Sequence, residues 1–194
     1  MTLKKLPTKK LPLRPNVCML VYNHAGELLL GKRINRRNHW QFPQGGAEPE
    51  LSLRENVVRE IREELGIQKR KLGKITKLKA THEYDWIKPP EYAQGRWRGQ
   101  SQTFWLVEFL GTDSDIDLTA DRDPEFQSFK WCSVAEVKRL AAKERLPGYR
   151  AALREFSEFK RAALKKDSGE TSRSRSQAGR RTMKRTDRDS SDIK

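Results

Sequence analysis

The stretch Ser52–Gly66 constrains this chain more than any other. Ser52 and Glu55 stand three apart as a capping box, so a helix should begin at Leu53. Gly66 is a natural stop, because it tolerates the left-handed backbone that follows a last helical turn. Leu53, Val57, Ile61 and Leu65 recur every four residues and form a stripe to be buried. Glu60, Glu63 and Glu64 fall together on another face at spacing i, i+3, i+4. Like charges so placed repel by a few tenths of a kcal/mol per pair, a cost that a bound cation would remove. Oxygen-only ligands suit Mg²⁺, Mn²⁺ or Ca²⁺ rather than Zn²⁺. The plain alternative is a solvated acidic face, since Arg59 and Arg62 alternate with the glutamates and Glu55 can pair with Arg59. Against it stands Gln44-Gly45-Gly46, a glycine-rich turn ahead of the helix that lets backbone approach a ligand closely. A loop feeding a three-carboxylate face suits metal-assisted phosphate chemistry.

The flanking sequence alternates strand and helix signals. Val17–Tyr22 and Glu27–Arg33 read as a hairpin around Asn23-His24-Ala25-Gly26. Trp40–Pro43 is a short extended piece. Strands are expected over Ile75–Trp86, Ser101–Leu110 and Phe126–Cys132. In the second, Phe104, Leu106, Glu108 and Leu110 share a face. Ser133 and Glu136 form another capping box, opening a helix to about Ala142. Pro147-Gly148 should break the chain before a helix over Tyr149–Leu164. Strands and helices without strict βαβ order point to an α+β or sandwich arrangement.

Charge separates the ends from the middle. The chain has 194 residues and a net charge of +15, which favours anionic partners such as nucleic acid or nucleotides. Residues 1–13 read as a basic N-terminal arm carrying Lys4, Lys5, Lys9 and Lys10. Residues 167–194 lack aromatic side chains and hold eight Lys/Arg against five Asp/Glu, the composition of a disordered basic tail. The globular part is then 14–166 and is itself basic. No apolar run is long enough to cross a bilayer, and none follows the N-terminal lysines as in a secretory signal. Cys18 and Cys132 are isolated, without metal or disulfide spacing, and read as core residues in a reducing cytoplasm. Trp105 and Trp131 read as core. Trp86 and Trp97, flanking a loop with proline and arginine, are candidates for base stacking. His24, His39 and His82 have no metal spacing; His39 adjoins Trp40-Gln41-Phe42-Pro43 and is a candidate to line a site.

Gly45 through Ile67 resembles the Nudix box, the signature of hydrolases that cleave nucleoside diphosphates linked to another moiety. Gly45 starts it, and Arg59-Glu60-Ile61-Arg62-Glu63-Glu64-Leu65-Gly66-Ile67 completes it without a gap. One position departs: the early Glu of the family falls at Leu51, with Glu50 one place before it. In the family that Glu braces the loop against the motif arginine, here Arg59. Arg14-Pro15-Asn16-Val17, Trp40 through Gly46, Gly99-Gln100-x-Gln102, Pro124-Glu125-Phe126 and Tyr149-Arg150 further resemble the bacterial RNA pyrophosphohydrolases and the related dinucleoside polyphosphate hydrolases. The resemblance implies the Nudix fold, an α/β/α sandwich around a mixed sheet. It implies pyrophosphate release from 5′-triphosphorylated RNA or, alternatively, cleavage of diadenosine tetraphosphate, with Mg²⁺ or Mn²⁺ as cofactor. Glu60, Glu63 and Glu64 would be catalytic and, with Gly45 as a backbone ligand and Glu125, metal-binding. Arg14, Arg33, Gln41 and Gln44 would bind substrate; Gly46, Arg59 and Gly66 would shape the motif. Two departures bear on substrate: lysines of the RNA enzymes are replaced by Ser101 and Thr103, and the loop between Arg33 and Trp40 is one residue longer. A non-catalytic nucleotide- or RNA-binding Nudix domain is the remaining reading, and the complete glutamate cluster argues against it.

Overall fold

The computed structural model describes residues 11–183, with side chains through Lys165. Residues 1–10 of the expected arm and 184–194 of the expected tail lie outside it. Contacts divide the chain after Phe156. The first unit is a mixed sheet with helices on both faces. Its strands are β1 (Leu13–Tyr22), β2 (Leu28–Arg33), β3 (Trp40–Gln41), β4 (Gln44–Gly46), β5 (Leu72–Asp85), β6 (Gly99–Phe109) and β7 (Phe126–Cys132). The helices are α1 (Leu53–Leu65), α2 (Val134–Leu140) and α3, which starts at Leu146. The order across the sheet is β3-β2-β1-β6-β5, with β4 on β1 and β7 on β2. Among the described strands, β1 and β6 alone pair in parallel, in register from Leu13↔Gly99 to Tyr22↔Glu108.

β1 is central, and its side chains are buried on both faces. Val17, Met19 and Val21 join Val57, Ile61 and Leu65 of α1 in one core, with Trp105, Val107 and Phe109 from β6. The alternate residues face the first turns of α3, where Tyr149 packs on Phe42 and Phe104 at ring distances of 4.6 and 6.3 Å, and Phe156 meets Tyr22 at 5.9 Å. A strand covered twice reads as a continuous apolar run, as Val17–Val21 does. The same double cover buries both faces of β6, so Phe104 and Leu106 keep their shared face and Trp105, Val107 and Phe109 fill the other. Phe104, Trp105, Leu106 and Val107 are all buried, while Leu110 lies beyond the strand and is exposed.

Two local expectations change. Gln44-Gly45-Gly46 is a strand rather than a turn, pairing with Cys18, Val17 and Asn16. Pro147-Gly148 does not break the chain. Pro147 occupies the first turn of α3, where its missing N–H costs nothing, and Gly148 lets the helix approach the His82 ring. In the second unit, from Ser157, the backbone is helical as far as Met183. Once nucleated, a helix adds residues at little cost each.

Candidate active site

α1 is capped as its sequence specifies. Ser52 Oγ accepts the Glu55 N–H at 3.2 Å, the Glu55 carboxylate accepts the Ser52 N–H at 2.8 Å, and Gly66 closes the helix at φ 64°. The cap fixes the rotation of the helix, and the apolar stripe presses it to the sheet. Glu60 and Glu64 are thereby turned inward toward β4, and both are buried.

Gly45 and Gly46 are needed for close approach, since neither has a positive φ. A Cβ on Gly45 would overlap the Glu60 carboxylate, and one on Gly46 would overlap the Arg14 guanidinium. Beside them the Gln44 N–H donates to Glu64 Oε2 at 2.9 Å. The other oxygen, Oε1, is buried with no donor among the described residues. Burial raises the Glu64 carboxyl well above the usual range, and Glu125 and Glu60 push it further. Burial likewise pushes Glu60 up to about 7, opposed by Arg59 and reinforced by Glu63 and Glu125. Glu125, just ahead of β7, is held in place by its carbonyl, which accepts the Ile34 N–H at 3.0 Å.

Two arginines neutralise much of this acid. Arg59 reaches Glu63 at 2.6 Å, Glu60 at 2.7 Å and the Gly46 carbonyl at 2.8 Å, clipping α1 to β4. Arg33 pairs with Glu125. Among the described residues no three acids are drawn into a ligating set. The donor set nevertheless suits a cation: all the ligand atoms are oxygens, one buried carboxylate oxygen lacks a donor, and neighbouring acids raise the Glu60 and Glu64 carboxyls.

With leucine at the family's Glu position, the loop is neither braced by Glu50 nor left unbraced, but is held by other residues. Glu48 stands 3.7 Å from Arg59. Asn56, fully buried, accepts the Glu48 N–H at 2.8 Å and donates to the carbonyls of Glu48, Leu51 and Ser52. The signal was present: an asparagine one residue from the apolar stripe, in a helix interior it does not favour.

A cleft of about 410 Å³, a size suited to a nucleotide, opens beside Glu60 and Glu125, while Glu64, Arg59 and Asn56 lie outside its lining. Glu60, Glu125, Gln44 and Gly45 line it together with Arg14, Arg33, Arg36, Lys88 and Arg145. Arg36 comes from the longer loop after Arg33. Arg145, missed in the sequence, donates to the Tyr84 hydroxyl at 3.0 Å and approaches Gln44 Oε1 at 3.4 Å. Gln102 donates to Gln44 and Asn16, completing a polar wall. Other expected residues lie elsewhere. Gln41 is buried against His39, Oε1 to Nε2 at 3.1 Å, and neither lines the cleft. Glu63 is not in the lining and lies on Arg59. Trp86 lines the cleft, whereas Trp97 does not and carries Arg14 and Arg96 over its ring. Ser101 donates to Glu83, and Thr103 to the Asn16 carbonyl.

Comparison with known proteins agrees with this geometry. The family model described as NUDIX domain matches residues 12–156. A protein named RNA pyrophosphohydrolase from Erythrobacter litoralis is 36% identical over 145 residues, 71% of this chain and 87% of that protein. One of the same name from Wolbachia sp. subsp. Drosophila simulans is 33% identical over 157 residues, 77% and 93% of the two chains. Among solved structures, a C. elegans Ap4A hydrolase binary complex superposes with a TM-score of 0.57 at 25% identity, covering 77% of this chain and 99% of the other. The glycine that admits Glu60, the arginine that clips helix to strand and a family match over residues 12–156 lead to one assignment: the chain belongs to the Nudix family.

Proposed function

We propose that this protein is a divalent-metal-dependent pyrophosphohydrolase that removes pyrophosphate from the 5′ end of triphosphorylated RNA. The observation that carries the proposal is the placement of Glu60 and Glu125, both coupled by repulsion to the buried Glu64, together with a set of cations on the walls of one cleft. The names of its relatives, which match over most of their length, support the substrate.

Glu60, Glu64 and Glu125, with backbone at Gly45, would hold Mg²⁺ or Mn²⁺, and Glu63 would join from the rim. When bound, the ion neutralises phosphoryl oxygens and lowers the pKa of water. A glutamate among Glu60, Glu63 and Glu64 accepts the proton of the attacking water. The water oxygen bonds to phosphorus, the phosphoanhydride bond breaks, and pyrophosphate leaves. Arg14 and Arg33 grip the terminal phosphates by charge-assisted hydrogen bonds. Arg36, Lys88 and Arg145 supply the positive charge that Ser101 and Thr103 do not. Trp86 offers a ring for a base at the cleft rim. Catalysis belongs to residues 14–166, and the remainder serves as a basic extension. Unpaired, buried Cys18 and Cys132 suit the cytoplasm, where such RNA is found.

The second reading, a dinucleoside polyphosphate hydrolase, is favoured by the Ap4A hydrolase likeness and uses the same residues. A phosphate-release panel separates the two. With Mg²⁺ present, 5′-triphosphate RNA should be the best substrate, ahead of diadenosine tetraphosphate and free nucleoside triphosphates. Preference for diadenosine tetraphosphate would establish the second reading.

A further inference from the structure

Arg14 differs from the other motif-linked arginines in what holds it. Arg33 lies on Glu125, and Arg59 lies on Glu60 and Glu63. Among the described residues no carboxylate pairs with Arg14. Its guanidinium carbon sits 4.9 Å from the centre of the Tyr92 ring and 5.5 Å from that of Trp97, with the Gly46 backbone against its terminal nitrogen. Tyr92 and Arg14 both line the cleft.

We infer that Tyr92 and Trp97 are positioning residues for Arg14: their rings hold its guanidinium at the cleft without cancelling its charge, and so set the grip on the substrate's phosphates. The inference rests on the cleft being a phosphate site, as proposed above. A ring face attracts a cation through its quadrupole and leaves the net charge intact. A carboxylate would neutralise the same charge and compete with phosphate for its N–H groups. Holding the guanidinium in place beforehand removes rotamer entropy that binding would otherwise cost.

The loop carrying the two rings is anchored to hold this geometry. Arg98 donates to Asp85 at 2.7 Å and to the Leu11 carbonyl at 3.0 Å, while its own N–H reaches the Pro12 carbonyl at 3.0 Å. These bonds tie the loop to the end of β5 and to the residues just before Arg14. Within the loop, the N–H groups of Arg96 and Trp97 both donate to the Ala93 carbonyl at 3.0 Å, around Gly95 at φ 73°. Trp86 meets Tyr92 edge-on at 6.2 Å and fixes its tilt. Arg96 lies 4.3 Å from the Trp97 ring centre, so that ring carries two cations.

A double-mutant cycle on the full-length protein tests this. Calorimetry with inorganic tripolyphosphate in saturating Mg²⁺ reads the grip without requiring RNA turnover. Trp97→Leu should weaken tripolyphosphate about 3- to 10-fold, the range of a partly desolvated cation–ring contact, and raise KM for 5′-triphosphate RNA by a similar factor with kcat within about 2-fold. Trp97→Phe, which keeps a ring, should recover most of the loss, and exposed Tyr92→Ser should mimic Trp97→Leu. In an Arg14→Ala background, Trp97→Leu should change tripolyphosphate affinity no further. Equal weakening with and without Arg14 would overturn the inference, as would a fall in kcat at unchanged KM. If tripolyphosphate follows the cycle while RNA ends stay intact, the positioning stands and the RNA reading alone fails.

Discussion

Asn56 shows how much one buried amide can organise. It ties the segment between β4 and α1 to the helix through the Glu48 N–H and the carbonyls of Glu48, Leu51 and Ser52. Asn56→Ala leaves those groups without partners and should cost about 2–3 kcal/mol, read as a lower melting temperature, with turnover falling as the Gly45–Gly46 segment loosens. Because Glu48 and Asn56 already hold the segment, Leu51→Glu should improve neither stability nor rate, and Glu50→Ala should leave both within error. A gain from Leu51→Glu, seen in melts or in kcat, would show that the segment lacks a brace. Of this arrangement the sequence revealed the carboxylates and Arg59 through spacing along one helix. Glu48 and Arg145 escaped because they meet the site only through tertiary contacts, and no helical or strand period marks them. Gln41 and His39 were expected in the site by adjacency to it. Alternation along the extended chain turns them to the buried side instead.

α1 carries the electrostatic cost of the site. A carboxyl whose pKa is raised on folding holds its proton more tightly in the folded state. Its contribution is complete below the unfolded value and is lost as pH rises through the folded one. For Glu60 that window runs from 4.5 to about 7, and the upward shift of Glu64 acts in the same direction. Metal-free protein should therefore lose stability across this range, and Glu60→Gln should flatten the slope. Mg²⁺ binds the ionised acids, so its stabilising effect should be larger at pH 8 than at pH 5.5. Thermal melts in chelator and in Mg²⁺ at the two pH values check this. The two ends of α1 were legible because capping is local chemistry. The strand character of Gln44–Gly46 was not, because it depends on pairing with β1, and a glycine admitted for close approach is indistinguishable in sequence from one that makes a turn.

At the scale of the molecule, carboxylates and cations share the walls of one cleft, and the sequence adds a basic C-terminal segment with Arg173, Arg175, Arg180, Arg181, Lys184, Arg185 and Arg188. Their side chains lie outside those described. The family match covers residues 12–156, so on the proposed reading removing residues 167–194 should leave turnover of diadenosine tetraphosphate unchanged and raise the apparent KM for long RNA at low salt. The log–log salt slope should also shrink, by about 0.7 for each phosphate that the segment neutralises on a single strand. Equal slopes for full-length and truncated protein would make the segment inert toward RNA. The central claim is tested most directly by following the 5′ end of one triphosphorylated RNA in Mg²⁺, with wild type beside Glu64→Gln. The account predicts conversion of the end to a monophosphate by wild type. It predicts a rate at least ~100-fold lower in the variant, the scale of losing a positioned metal or proton-transfer group, with no loss of thermal stability in chelator. An end that stays triphosphorylated with wild type, or a Glu64→Gln rate near that of wild type, would contradict it.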